Sequence, residues 1–308
     1  MPSQQRRSDG GWRCRLPVGT EGTEGGSEVR ARGGSIGESS VRDALSAATA
    51  ALTSAGVQSA RLDAEVLLSD AAGVERARLA ADSDLSVSAD AARVFGAAIR
   101  RRIRREPVAY ITGRKGFRHI EVAVDSRVLI PRPETELLVE IAHEVAPRTV
   151  LDVGTGSGAV ALAIAAEIPA ANVVASEISS EALTLARDNA WLLGVDERVE
   201  FFEGSVPPVH VDLAVANLPY VTENEWDSLE PEIRDWEPRG ALVAGADGLD
   251  TFRTVIPALD ATVIAVEVGA GQAGAVAGLA EAAGFGDIEL RRDLAGIERV
   301  VLGRKARA

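Results

Sequence analysis

From residue 149 onward, short apolar runs alternate with amphipathic segments, and this alternation constrains the fold more than any other feature of the sequence. The apolar runs have the length of strands, and the segments between them show the helical period of about 3.6 residues. Strands that are joined by helices lie parallel in one sheet, and the helices cover both of its faces. The predicted strands are 149–153, 172–177, 199–203, 211–216 and 262–268, with helices at 159–167, 180–193, 251–259 and 272–283.

Two further strands are predicted after the last helix, at 287–291 and 298–302. The connection between them is too short for a crossover helix, so they should form an antiparallel pair. We therefore expect residues 136–308 to form an α/β domain with a seven-stranded, mostly parallel sheet whose last strand is antiparallel.

Residues 38–105 are predicted to form a small all-helical bundle ahead of the sheet. Ser39 and Ser40 are favourable N-cap residues, and apolar side chains follow them at helical spacing without strand-like alternation. Four helices are expected: Val41 to about Gly56, 62–72, 74–81, and one that begins at Ser88.

The fourth of these helices ends in a run of basic residues, Arg100, Arg101, Arg102, Arg104 and Arg105. Two interpretations are open. Cations at the C-terminus of a helix complement its dipole and are usually solvated. Alternatively, the arginines form a docking patch for the acidic surface of a partner.

The remaining segments lack long regular elements. Residues 1–37 are rich in Gly, Arg, Ser and Glu and show no apolar periodicity, which predicts a disordered tail. Residues 106–135 are predicted to be an extended connector, in which near-alternation of apolar residues indicates a β-hairpin. Pro131 and Pro133 exclude a regular element around them, and a helix is expected from about Glu134.

The overall composition excludes several classes of protein. The single cysteine rules out an internal disulfide framework and indicates a reducing compartment, which we expect to be the cytoplasm. Three scattered histidines have no metal-ligand spacing, so we expect no metal site. No apolar run reaches the roughly 20 residues of a membrane span. The net charge of −13 disfavours a broad nucleic-acid-binding surface.

A glycine-rich turn joins the first strand of the predicted sheet to the helix that follows it. Gly154, Gly156 and Gly158 allow the backbone to pass close to a ligand, and the start of the helix offers free amide groups. Glu177 ends the next strand about twenty residues later, where a carboxylate can bind a ribose diol. The turn and Glu177 together predict a nucleoside-containing cofactor.

Two cofactors compete for this arrangement. A dinucleotide such as NAD requires the spacing G-x-G-x-x-G and places a pyrophosphate at the helix N-terminus. Here the spacing is G-x-G-x-G, and Asp152 stands two residues before the first glycine. Because S-adenosylmethionine carries an ammonium and a sulfonium but no phosphate, the carboxylate favours S-adenosylmethionine over NAD.

The fourth predicted strand runs directly into the tetrapeptide Asn217-Leu218-Pro219-Tyr220. Ligands of open α/β sheets bind beyond the carboxyl ends of the strands, so the tetrapeptide should lie beside the glycine-rich turn. The tetrapeptide resembles the [N/D]-P-P-[Y/F/W] motif of amino-methyltransferases, and this resemblance implies methylation of a planar NH₂ group, whose lone pair is delocalised. The Asn217 side-chain oxygen and the Leu218 carbonyl can accept the two protons and aim the lone pair at a methyl carbon. Pro219 would hold the turn, and Tyr220 would pack on the planar group.

The tetrapeptide departs from this motif at Leu218, which stands in place of the first proline. A second and more specific segment is Pro-Arg-Pro-Glu-Thr-Glu at 131–136, which generic methyltransferases lack. Together, the segments resemble the peptide chain release factor N5-glutamine methyltransferase family (HemK/PrmC-like) over about residues 40–303. The other matching segments are 105–113, 152–158, 237–238, 241–242, 245–249 and 293–299.

The resemblance implies a Rossmann-like methyltransferase sheet behind a helical, substrate-docking domain, with S-adenosylmethionine as the methyl donor. The implied substrate is the glutamine of the Gly-Gly-Gln motif in bacterial-type peptide chain release factors. Catalytic roles fall on Asn217, Pro219 and Tyr220, and substrate binding on these residues together with Leu218. The implied cofactor-binding residues are Gly154, Thr155, Gly156, Ser157, Gly158, Glu177, Ser205, Val206 and Asn217.

Two other functions remain open at this point. An N6-adenine methyltransferase acting on nucleic acid would use the same Asn-x-Pro-Tyr chemistry on a flipped or single-stranded base. The acidic charge and the lack of a long basic stretch weigh against it. A Rossmann-type protein that binds NAD is the third reading. We expect release factors as partners, with no membrane and no stable nucleic-acid partner.

Overall fold

The computed structural model describes residues 40–305. The predicted disordered tail, residues 1–37, lies outside the described residues.

The described part of the chain begins with four helices. Two of them have the predicted type of N-cap, since the Ser40 hydroxyl accepts from the Asp43 N–H at 3.1 Å and the Ser88 hydroxyl accepts from the Ala91 N–H at 3.3 Å. Their apolar faces meet in one cluster of buried side chains, among them Leu52, Leu67, Leu68 and Phe95. The helices are α1 (Val41–Ser54), α2 (Ala60–Ala72), α3 (Arg76–Ala81) and α4 (Ala89–Ile103).

The predicted extended connector, residues 106–135, also contains a helix that was not expected, because α5 (Val108–Thr112) follows Pro107. The helix ends at Gly113, whose φ of 74° lies in the left-handed region that favours glycine. The predicted hairpin follows as β1 (Arg114–Phe117) and β2 (Ile120–Ala123), which pair antiparallel. Five residues are too few to show helical periodicity in the sequence, so α5 escaped detection.

The arginines at the end of α4 do not all face solvent. Arg102 is 4% exposed, and its guanidinium donates to Asp63 at 2.7 Å and to Glu232 at 2.7 Å. Arg105 donates to both carboxylate oxygens of Glu232, at 2.7 and 2.6 Å. Burial acts to raise the pKa of Glu232, but the hydrogen bonds from Arg105 and Arg102 outweigh it and lower that pKa. Both sequence interpretations, a solvated helix end and an open docking patch, are therefore wrong for these two arginines.

The rest of the described chain alternates between helices and strands, as predicted. A short 3₁₀ turn (Pro133–Thr135) leads into α6 (Glu136–Val145). The strands that follow are β3 (Thr149–Val153), β4 (Asn172–Glu177), β5 (Val199–Glu203), β6 (Val211–Asn217), β7 (Ala261–Glu267), β8 (Phe285–Arg292) and β9 (Glu298–Lys305). The helices between them are α7 (Ala159–Glu167), α8 (Ser180–Leu193), α9 (Pro231–Arg234), α10 (Asp250–Val255) and α11 (Ala273–Ala282).

Strands β3 to β9 form one seven-stranded sheet with the order β5-β4-β3-β6-β7-β9-β8. The five strands from β3 to β7 are parallel, and β9 runs antiparallel to both of its neighbours. The predicted fold, a mostly parallel sheet with an antiparallel last strand behind a helical region, is confirmed. The strand order reverses between β3 and β6, so a crevice opens at the carboxyl ends of these two strands.

Among residues 40–305, every helix is too short or too polar to cross a bilayer.

Candidate active site

A cavity of about 300 Å³ lies in this crevice. Its walls come from the turn after β3, the end of β4, the segment after β5 and the end of β6. Part of the segment between β2 and α6 closes one side. The lining residues include Arg127, Val128, Leu129, Gly154, Gly156, Glu177, Ile178, Ser205, Asn217, Leu218 and Pro219.

The cavity brings together the two motifs that the sequence singled out, although about sixty residues separate them along the chain. The predicted cofactor residues that line it are Gly154, Gly156, Glu177, Ser205 and Asn217. The predicted residues that lie outside its lining are Thr155, Ser157, Gly158, Val206 and Tyr220. Val206 is half-buried and packs against the core instead.

The turn after β3 requires its glycines. Gly154, Gly156 and Gly158 have φ values of 72°, 55° and 85°, in the left-handed region that L side chains rarely adopt. A Cβ on Gly158 would also lie 2.9 Å from the Cδ1 of Leu162. A Cβ on Gly154 would lie 3.6 Å from the Leu218 side chain of the tetrapeptide. The backbone therefore approaches the cavity without side chains that would fill it.

Asp152, near the end of β3, stabilises this turn through hydrogen bonds of its buried carboxylate. It is 2% exposed, and its Oδ2 accepts from the Thr155 hydroxyl at 2.6 Å and from the Ala161 N–H at 3.2 Å. Burial raises the pKa of Asp152 to about 6. Contrary to the expectation from the sequence, its carboxylate does not line the cavity, so it cannot favour a cationic cofactor by direct contact.

Glu177 ties the glycine-rich turn to the start of α8. Its Oε2 accepts from the Gly156 N–H and its Oε1 from the Ser179 N–H, both at 3.0 Å. Each oxygen keeps a lone pair that can accept from a hydroxyl of a ligand in the cavity. The carboxylate is thus placed both to hold the turn and to bind a diol.

We expect Glu177→Ala to weaken S-adenosylmethionine binding about 10- to 100-fold, because hydrogen bonds to a charged group contribute about 1.5–3 kcal/mol. Calorimetric titration with the cofactor measures the change. Glu200→Ala is the matched control, since it removes an exposed carboxylate from β5 away from the carboxyl edge of the sheet. Equal affinities of wild type and Glu177→Ala would exclude Glu177 from the cofactor site.

The tetrapeptide begins at the last residue of β6. The Asn217 Nδ2 donates to the Thr135 hydroxyl at 3.0 Å, which leaves its Oδ1 as an acceptor at the cavity wall. Leu218 is 3% exposed and packs into the apolar cluster on this side of the sheet. Leucine at this position therefore anchors the tetrapeptide by burial of its side chain.

Tyr220 is half-buried and is held through its backbone. Its N–H donates to the Leu242 carbonyl at 3.0 Å, and its carbonyl accepts from the Gln272 side chain at 2.9 Å. Burial raises the pKa of its phenol. Its packing on a planar substrate group stays a prediction, because its side chain is not part of the cavity lining.

The Pro-Arg-Pro-Glu-Thr-Glu segment contributes to the site in a way that its sequence did not reveal. Arg132 donates to Glu237 at 2.5 Å, and the other oxygen of Glu237 accepts from the Ile130 N–H at 3.1 Å. Glu237 is 6% exposed. These bonds hold the segment beside the end of β6 and place Thr135 against Asn217. The sequence analysis included both Thr135 and Glu237 in segments that carry the resemblance, but it assigned them no role, since neither has a recognisable spacing to its partner.

The chain matches family models and curated proteins over most of its length. Residues 43–113 match the family model of the PrmC N-terminal domain, and residues 132–229 match that of the methyltransferase small domain. The release factor glutamine methyltransferase of Cereibacter sphaeroides is 40% identical over 270 residues, which cover 85% of this chain and 97% of that protein. The protein of the same name from Geobacter sulfurreducens is 40% identical over 264 residues, covering 82% of this chain and 92% of that protein.

Solved structures also resemble the chain. The hMettl16 catalytic domain in complex with MAT2A 3'UTR hairpin 6 has a TM-score of 0.50 at 12% identity, over 60% of this chain and 76% of that chain. At this identity, the likeness concerns the fold alone.

Proposed function

The chain belongs to the release factor glutamine methyltransferase family, and from this we propose that it methylates peptide chain release factors. The methyl group goes from S-adenosylmethionine to the side-chain amide nitrogen (N5) of the glutamine in the Gly-Gly-Gln motif. The observation that carries the proposal is the Asn217 amide, which presents its oxygen at the wall of a cavity shared with the glycine-rich turn.

The cavity fits the cofactor. Gly154 and Gly156 line the cavity with bare backbone at positive φ values that L side chains rarely adopt, and Glu177 offers acceptors for a diol. When bound, S-adenosylmethionine supplies an electrophilic methyl carbon on a sulfonium.

The protein's own contribution is to position the acceptor amide. An amide NH₂ is a poor nucleophile because its lone pair is delocalised into the carbonyl. The Asn217 Oδ1 and the Leu218 carbonyl accept its two protons and so fix the direction of that lone pair. The N-methylated amide is a strong acid until it loses its extra proton, so water suffices to accept that proton. Pro219 stiffens the turn that presents the Leu218 carbonyl.

The helical region, residues 38–105, is proposed to dock the release factor, which would deliver its Gly-Gly-Gln loop into the cavity. We further propose that the protein acts in the cytoplasm, where translation termination takes place. The curated relatives support methylation of release factors and give no support to the N6-adenine alternative.

The direct test is transfer of a labelled methyl group from S-adenosylmethionine to a purified release factor. We expect labelling of the wild-type factor and none of a Gln→Ala variant of its Gly-Gly-Gln motif, because only the glutamine supplies the carboxamide. Double-stranded and single-stranded DNA and tRNA serve as parallel substrates. Equal labelling of both factors would reject the assigned glutamine, and preferential labelling of nucleic acid would favour the adenine reaction.

A further inference from the structure

Three segments of the chain meet behind Asn217. Thr135 lies in the turn before α6, Asn217 ends β6, and Glu267 ends β7. Asn217 and Glu267 are register partners on adjacent parallel strands. The Thr135 hydroxyl accepts from the Asn217 Nδ2 at 3.0 Å. A hydrogen bond from Thr135 to the Glu267 carboxyl group acts to lower the pKa of Glu267, against the burial that raises it. The three side chains therefore form a continuous row from the cavity wall into the protein interior.

Glu267 is an unusual residue to find at this depth. It is 2% exposed, and within residues 40–305 its Oε2 has no hydrogen-bond partner. Burying a carboxyl group without full hydrogen bonding is unfavourable, so a neutral residue would stabilise the fold better. The charged and titratable groups around Glu267 are Arg299 on β9, Arg132 and Glu134 before α6, and Tyr220 after β6.

The direction of the hydrogen bonds among Glu267, Thr135 and Asn217 decides how the Asn217 amide is oriented. A hydroxyl has a single proton. If Thr135 donates that proton to an ionised Glu267, its oxygen can only accept from Asn217. The NH₂ half of the Asn217 side chain must then face Thr135, and the Oδ1 half must face the cavity. A protonated Glu267 can instead donate to Thr135, which frees the hydroxyl proton to bond the Asn217 Oδ1 after a flip of the amide.

Resting on the proposed function, we propose that Thr135 and Glu267 are positioning residues that orient the Asn217 amide with its oxygen toward the substrate glutamine. Neither residue touches the reacting atoms. They act by excluding the flipped amide, which would present N–H donors where the substrate also presents N–H donors. The ionised form of Glu267 is the active one.

This arrangement has a consequence for the dependence of activity on pH. Burial raises the pKa of Glu267 to about 7. Because the ionised carboxylate is required, kcat should rise as the pH increases through about 7 and should level off above it. The same rise should be absent from Glu267→Gln, whose side chain does not titrate.

The experiment measures kcat, the KM for the release factor, and cofactor affinity in Thr135→Val and Thr135→Ser. Valine keeps the shape of threonine but removes the hydroxyl, so we expect kcat to fall at least 10-fold while KM and cofactor affinity change less than 3-fold. Serine keeps the hydroxyl and should retain kcat within about 3-fold. Thr149→Val is the matched control, since it removes a hydroxyl at the opposite end of β3, where Thr149 accepts from the Asp212 N–H.

Circular dichroism and cofactor titration establish that each variant is folded. If Thr135→Val is not folded, the pH profiles of wild type and Glu267→Gln decide, since loss of the inflection near pH 7 supports the proposal and an unchanged inflection overturns it. Wild-type kcat in a folded Thr135→Val overturns the proposal while methylation by the wild type still stands. Failure of the wild type to label any release factor removes the proposed function itself, and the inference with it.

Discussion

Replacement of Asn217 by alanine is expected to lower kcat for methyl transfer at least 10²-fold, which is the usual effect of removing one preorganised polar contact to the reacting group. The Asn217 Oδ1 is one of two proposed acceptors for the amide protons of the substrate. Without it, the carboxamide group as a whole is no longer held in one orientation, and its lone pair is no longer aimed at the methyl carbon. Cofactor affinity should change much less, because the glycine-rich turn and Glu177 remain intact. Single-turnover transfer of labelled methyl groups measures the first effect and calorimetry the second.

The matched control is Asn172→Ala, which removes an exposed amide from the start of β4, at the opposite edge of the sheet. It should leave kcat within about 2-fold of wild type, since surface changes away from a site have small effects. Turnover of Asn217→Ala close to that of Asn172→Ala would remove Asn217 from the mechanism.

The largest expected effect on stability belongs to Arg102→Ala. The change leaves Asp63 without its guanidinium partner at 6% exposure and deprives Glu232 of one of its two arginines. Removing one partner of a buried ion pair is expected to lower the free energy of unfolding by about 3–5 kcal/mol. Urea denaturation followed by circular dichroism measures the change.

Arg93→Ala is the control for this substitution because it lies on the same helix. The Arg93 side chain is 75% exposed and its ion pair with Asp90 spans 3.8 Å, so the free energy of unfolding should change by about 0.5 kcal/mol or less. Equal stabilities of Arg102→Ala and Arg93→Ala would contradict the assigned role of the buried pair.

The sheet was predictable because its signal is local and strong. The bounds of β3, β4 and β5 coincide with the apolar runs 149–153, 172–177 and 199–203. A parallel strand covered on both faces needs apolar side chains at nearly every position, and α8 also begins at the N-cap Ser179 and ends at Gly194. The short helix α5 carries too few residues for such a pattern and was missed.

The candidate site likewise has a part that the sequence predicts and a part that it does not. The glycine-rich turn and the tetrapeptide are each contiguous, and the rule for ligand sites in α/β sheets places both at one edge. The contacts that orient them are not contiguous, since 82 residues separate Thr135 from Asn217 and 130 separate Arg102 from Glu232. Asp152 shows a further limit, because the sequence locates a carboxylate but does not state whether it faces the ligand or the backbone.

One group of ion pairs also restricts which chimeras of this chain with its relatives can fold. The group consists of Asp63, Arg102, Arg105 and Glu232. A chimera that joins the helices of one relative to the sheet of another receives three of these side chains from one parent and Glu232 from the other. Unless both parents have compatible residues at these positions, the junction encloses a charge without its counter-ion. These four positions therefore have to be exchanged as a set, whatever the rest of the sequence does.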